Sequence, residues 1–137
     1  MAVKTEQQIE RDFFVFVKNS ALGKSIKGKV YRSEMRPNDA TSEDLIVKFL
    51  AGIDEQIQTG VVIFNLYVPD IPYMADGRKV IDHARIGVLQ ELINSFVNDN
   101  PDTEYWMQTD TTPTTMKNED IEQHFIYTRI KFKRITA

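Results

Sequence analysis

The sequence predicts an α+β fold, with two helices packed on a mostly antiparallel mixed sheet in the order α-β-β-β-α-β-β. Three observations carry this. Apolar residues recur at helical 3–4 spacing in two segments, near the N-terminus and over residues 78–98. Between and after them lie β-branched and aromatic runs with strand character. The regular strand–helix alternation of a parallel α/β sheet is absent. All 137 residues fit a single domain.

The first helix is expected from about Thr5 to Leu22, with Ile9, Phe13, Phe16, Val17 and Ala21 on one stripe. Thr5 is its N-cap, Glu6 sits at the positive helix end, and Gly23 is the C′ stop. Phe14 and Val15 fall off the stripe, so a second face of this helix is expected to meet the sheet or a neighbouring subunit. Gly28 to Arg32 reads as a short strand, and Met35 to Glu43 as a loop built on Arg36-Pro37-Asn38-Asp39.

Leu45 to Leu50 is the second strand, and Ala51 to Gly60 a polar loop or hairpin. Val61 to Val68 is the strongest strand, apolar on both faces but for Asn65, which predicts a central strand covered on both sides. Pro69 and Pro72 end it. Asp76-Gly77 has the form of a hairpin turn but is read as the lead into a helix from about Arg78 to Asn98. That helix carries Ile81, Ala84, Arg85, Val88, Leu89, Leu92, Ile93 and Phe96 on one stripe. Gly87 inside it costs about 1 kcal/mol relative to Ala, either for a close backbone neighbour or by simple tolerance.

Residues 98–102 stop the helix, Glu104 to Thr109 is a strand, and Asp110 to Asp120 a Thr-rich loop. Ile121 to Ile135 closes the chain as a long strand. Ile126, Thr128, Ile130 and Phe132 face the core, and Tyr127, Arg129, Lys131 and Lys133 face water.

Composition narrows function. There is no cysteine, which removes disulfides, thiol nucleophiles and thiolate metal sites. The net charge of −3 is unlike that of a basic nucleic-acid-binding domain. No apolar run reaches the ~18 residues of a membrane span, and the polar N-terminus lacks a signal-peptide core. The expected location is a cytoplasm or a particle assembled in one.

The chemical motifs are weak. Gly23-Lys24-Ser25 resembles the end of a phosphate-binding loop, but Lys18 stands where that loop needs its first glycine, and the segment follows a helix rather than a strand. His83 and His124 have no metal-ligand spacing. Glu43, Asp44, Asp70, Asp76 and Asp82 read as a carboxylate cluster for Mg²⁺ or, more simply, as capping and loop acids. No G-x-S-x-G sequence occurs. No catalytic residue, cofactor or metal site is expected on these grounds.

Several segments carry a family resemblance: Lys29 to Arg32, Arg36-Pro37, Ser42 to Val47, Val61 to Asp70, Asp120 to Phe125 and Arg129 to Phe132. In these segments and in element order the chain resembles the phage and prophage tail terminator proteins, which complete the tail and join it to the head. The resemblance implies two helices against a mixed sheet and a homo-oligomeric, hexameric ring without catalytic residues. Such a ring caps the tail tube, contacts the neck, and leaves DNA passage through its centre open. It also implies that the loops at 33–44 and 110–120 meet neighbouring subunits.

The residues set out as candidate interface groups are Arg36, Glu43, Asp44, Tyr73, Met74, Lys131 and Lys133. Phe14, Val15, Tyr67, Trp106 and Met107 add large apolar groups beyond the obvious need of one small core. The outward row Tyr127, Arg129, Lys131 and Lys133 is a solvated strand face, or a face that lines a pore or meets an acidic partner. Two other readings stay open: a small metal-dependent enzyme acting on nucleic acid through Asp70, Asp82 and His83, and an adaptor for one protein partner.

Overall fold

A computed structural model describes residues 3–99, 104–118 and 121–135. Its elements are α1 (Glu6–Asn19), α2 (Ala21–Ser25), β1 (Val30–Arg32), β2 (Leu45–Ile53), β3 (Ile57–Pro69), β4 (Ile71–Tyr73), β5 (Arg78–Val80), α3 (His83–Asn98), β6 (Trp106–Thr109), β7 (Thr114–Asn118) and β8 (Gln123–Ile135). The main sheet runs β1-β2-β3-β8-β6, with β7 also paired to β8. Only β1 and β2 are parallel; the other pairings are antiparallel. The α+β class and mostly antiparallel mixed sheet are therefore as the sequence predicts.

The first helix obeys its cap and then departs from expectation. Thr5 Oγ1 accepts from the Gln8 N–H at 3.2 Å while Gln8 Oε1 accepts from the Thr5 N–H at 2.9 Å, a complete capping box. The helix stops at Asn19 rather than Leu22, because the Ser20 hydroxyl both donates to the Val17 carbonyl (2.6 Å) and accepts from the Gly23 N–H (3.2 Å). One side chain ends α1 and opens α2. Gly23 is thus not the stop. It lies inside α2, where a Cβ would sit 2.0 Å from the Val17 carbonyl oxygen, so only glycine permits this turn.

Residues 71–80 also differ from the expected loop and helix start. They form a separate hairpin, β4 with β5. Met74 (φ 52°) and Gly77 (φ 76°) supply its left-handed positions, and Asp76 Oδ1 accepts from the Arg78 N–H at 2.9 Å. The Asp76-Gly77 turn chemistry decided the segment, and α3 begins only after Asp82, whose carboxylate accepts from the Arg85 N–H. Its buried stripe is Ile86, Leu89, Ile93, Phe96 and Val97, rotated from the expected one, so Ala84 and Val88 face outward. Within the expected 110–120 loop lies β7, which pairs with the part of β8 that the four-residue β6 leaves uncovered.

All the helical packing falls on one side of the sheet. Ile9, Phe13 and Val17 of α1 and the α3 stripe share a core with Leu45, Val47, Val62, Phe64, Leu66, Ile126, Ile130 and Phe132. Phe13 stacks with Tyr105 and Phe132 at centroid separations of 5.0 and 5.7 Å, and Phe64 meets Phe96 at 5.6 Å. Strand β3 is central, as expected, but it is not covered on both sides by helices.

Candidate functional site

Three polar clusters organise the ends of the core, and two of them use residues expected at an interface. In the first, Arg36 Nε meets Asp44 Oδ2 at 2.9 Å, with side chains 7% and 1% exposed. Asp44 also accepts from the Ser42 hydroxyl at 2.6 Å and from the Lys29 N–H at 2.8 Å. The Arg36 guanidinium donates to the carbonyls of Ala40 and Ser42 and lies 4.2 Å over the Tyr67 ring. Burial alone would push the Asp44 carboxyl up; the hydrogen bonds from Ser42, Lys29 and Arg36, with the Arg36 charge, hold it below the usual carboxylate range.

The second cluster joins α3 to this region. Arg85 forks onto Glu43, with Nη2–Oε1 2.7 Å and Nε–Oε2 3.0 Å, and also reaches the Ser25 carbonyl. Glu43 accepts in addition from the Lys27 N–H. Gly28 sits between the two clusters, where a Cβ would lie 2.1 Å from Asp44 Oδ1 and 2.3 Å from the Glu43 carbonyl oxygen. Arg36, Glu43 and Asp44 thus fix the 33–44 loop to the sheet. Glu43 and Asp44 are buried, and Arg36 is largely so while also lining a surface groove with Tyr67, so within the subunit all three act as clamps.

The third cluster lies at the other end. Lys4 pairs with Asp12 at 2.6 Å and with Glu104, and Arg134 meets Glu104 at 2.8 Å. Arg134 also donates to Gln58 Oε1, and Gln58 returns a bond to the Lys4 carbonyl. The Lys4 hydrogen bond and charge, with Arg134, hold the Glu104 carboxyl below its ordinary value despite partial burial. Burial, then the bond to the Asp12 carboxylate, pushes the Tyr105 hydroxyl far up.

The residues considered for metal chemistry go elsewhere. Asp82 caps α3, Asp70 Oδ1 lies 2.6 Å from His124 Nδ1, and His83 is exposed at the first turn of α3. Among the described residues no three His, Asp or Glu side chains come together as a metal site. Lys24 and Ser25 end the short helix α2, with the Ser25 hydroxyl bonded back to the Ala21 carbonyl.

What remains is surface. The sheet face away from the helices carries Tyr67, Phe125, Tyr127, Ile63 and Val61 in its middle rows, set by register against Lys48, Arg129 and Lys131. Tyr67 and Phe125 stack at 5.3 Å. Ile63 is 7% exposed although no helix covers it, and its register neighbours on that face, Lys48 and Arg129, have long aliphatic stems of the kind that cover apolar surface.

Toward the β2–β3 turn the face opens. Ile53, Ile57, Trp106 and Ile135 are 60%, 52%, 49% and 66% exposed. Ile57 pairs with Ile135, and Trp106 with Lys133, whose ammonium lies 4.8 Å over the indole. Beside them runs a shallow groove of about 430 Å³ floored by Ala51, Thr59 and Val61 and flanked by Lys131 and Lys133. The β4–β5 hairpin is the other exposed feature: residues 71–79 are all exposed, with Tyr73 under the Arg78 guanidinium and Met74 80% exposed. Of the expected interface residues, then, Tyr73, Met74, Lys131 and Lys133 lie on the surface, on two separate features.

No protein-family model matches the chain, and no curated protein sequence matches it. Among the described residues no helix is long and apolar enough to cross a membrane. Residues 51–60, expected as a polar loop or hairpin, form the hairpin, and the exposure of Ile53 and Ile57 at its tip was not anticipated. The signal was present in the alternation Ala51, Ile53 and Ile57, Thr59, Val61 on one face of a hairpin.

Proposed function

We propose that this chain is a structural assembly subunit of the tail-terminator kind, forming a closed ring at the end of a phage or prophage tail tube and joining it to the neck. The observation that carries the reading is the pair of unlike exposed surfaces on one small domain: the open end of the sheet, with Ile53, Ile57, Trp106 and Ile135, and the β4–β5 arm, with Tyr73 and Met74. Large exposed apolar groups gathered in patches mark contact surfaces. Two different patches let one serve a heterologous, head-to-tail contact, which closes into a ring when the rotation between copies allows, and leave the other for a different partner. In this reading the sheet end meets the next subunit, and the arm reaches the tube or the neck.

The test is length control of a tail tube. The purified chain is added to its cognate tail-tube protein during polymerisation, and tube lengths and ends are scored by electron microscopy. A terminator caps ends with a ring and shortens the length distribution. Tubes of unchanged length without capped ends would overturn the proposal.

A further inference from the structure

The exposed face of α3 has a feature that the monomer does not use. Ala84, Gly87, Val88, Glu91 and Ser95 follow one another at helical spacing and are all exposed. Val88 is 49% exposed, and no heavy atom lies within 4 Å of the position a Gly87 Cβ would take. A glycine in mid-helix costs about 1 kcal/mol relative to alanine, and nothing in its own chain approaches closely enough to require it. The face is small-featured, and Glu91 is the one ionised group among these residues, since Arg85 turns inward to Glu43.

The open end of the sheet has the opposite character. It is broad and apolar through Ile53, Ile57, Trp106 and Ile135, and its outward row carries Lys131 and Lys133, with the exposed acids Asp54 and Glu55 in the turn beyond Ile53. The one acid lining its groove, Asp110, is paired with Arg129 at 3.1 Å. The surrounding molecule is acidic overall, at −3. Glu91 is therefore complementary in charge to the Lys131–Lys133 pair, and a helix with a glycine at its centre can approach a sheet closely. They lie on opposite sides of one sheet, so one copy cannot join them to each other.

We infer that the α3 face of one copy docks on the open sheet end of the next, with Glu91 set against Lys131 and Lys133 and Gly87 over the apolar patch. The inference rests on the assembly role proposed above and names the two surfaces of its repeating contact. The contact is heterologous, so it repeats from copy to copy.

The test uses the full chain and three variants, with mass followed by light scattering over a concentration series. Gly87→Leu points into open space in the monomer, so it leaves far-UV circular dichroism unchanged while blocking the contact. Lys131→Glu with Lys133→Glu weakens association at least about tenfold, and Glu91→Lys does the same. Mixing the double variant with Glu91→Lys restores association between unlike copies. Trp106, the single tryptophan, reads the sheet side directly, its emission shifting to the blue as wild-type chain assembles.

Assembly that ignores Gly87→Leu and the charge reversals overturns the inference and leaves the terminator proposal to other surfaces. Wild-type chain that stays monomeric at every concentration also overturns it, while tube capping continues to judge the terminator proposal separately. Quenching of Trp106 by a single-stranded oligonucleotide, with no self-association, would assign the sheet end to nucleic acid instead and overturn it too.

Discussion

The two faces of the main sheet are made by the same strands and have opposite fates. In β3, Val62, Phe64, Leu66 and Val68 face the helices and are nearly sealed, while Val61, Asn65 and Tyr67 on alternate positions are only half-buried. In β8 the pattern repeats, with Ile126, Thr128, Ile130 and Phe132 sealed and Tyr127, Arg129, Lys131 and Lys133 outward. The covered face is where stability resides, because apolar area removed from water contributes about 25 cal/mol per Å². The open face has residues of similar size whose burial the monomer never completes. A sheet with an apolar but uncovered end carries unrealised contact energy, and that is the physical basis for reading it as an assembly surface.

The sharpest way to break the comparison is to truncate one residue on each face. Phe64→Ala, fully buried against Phe96, is expected to cost about 3–5 kcal/mol in denaturant unfolding of the monomer. Ile57→Ser on the open face is expected to change monomer stability by less than about 0.5 kcal/mol and to act on association. Equal costs at the two sites would mean that the open face is already packed in the monomer.

The 33–44 loop lies at the border of the two faces, and its clamp gives the next effect. Asp44→Asn leaves the buried Arg36 guanidinium without its counter-charge and is expected to cost about 3 kcal/mol, again read by denaturant midpoint. The same pair sets a pH dependence. Asp44 and Glu104 both have folded-state affinities for protons held below the ordinary carboxylate value of about 4. The stability they contribute is therefore present above that value and is lost as pH falls below it, through their depressed folded values. Wild-type midpoints should fall on acidification, and the Asp44→Asn variant should fall less steeply over that window. An equally steep acid limb in the variant would place the sensitivity in other carboxylates.

The smallest effect is the most diagnostic of α3. Gly87→Ala is expected to raise monomer stability by up to about 1 kcal/mol, since the added methyl meets nothing and the helix gains propensity. A loss of stability there would show that the glycine is needed within the subunit, which would remove the reason for a close neighbour outside it.

Much of the architecture was legible beforehand. The capping box at Thr5, the central strand at residues 61–68 and the inward–outward alternation of β8 each follow from local spacing, and each stands where it was expected. Local chemistry also had the answer at Asp76-Gly77, where the turn signal outranked the longer helical pattern that ran through it. The break at Ser20 was harder to read, because a serine inside an apolar-periodic segment looks like an exposed helix position until its hydroxyl is seen bonding both ways.

The sequence by itself determined which residues are apolar, their period, and so the class of fold and most of the inward face. Only the tertiary structure decided that Arg36, Glu43 and Asp44 clamp the 33–44 loop, because burial and pairing depend on partners far along the chain, such as Arg85 and Tyr67. It likewise decided that β3 is covered on one side alone. Alternation states that a strand has two apolar faces, but which of them a helix reaches is settled by where α1 and α3 pack, and that is a long-range property no local window contains.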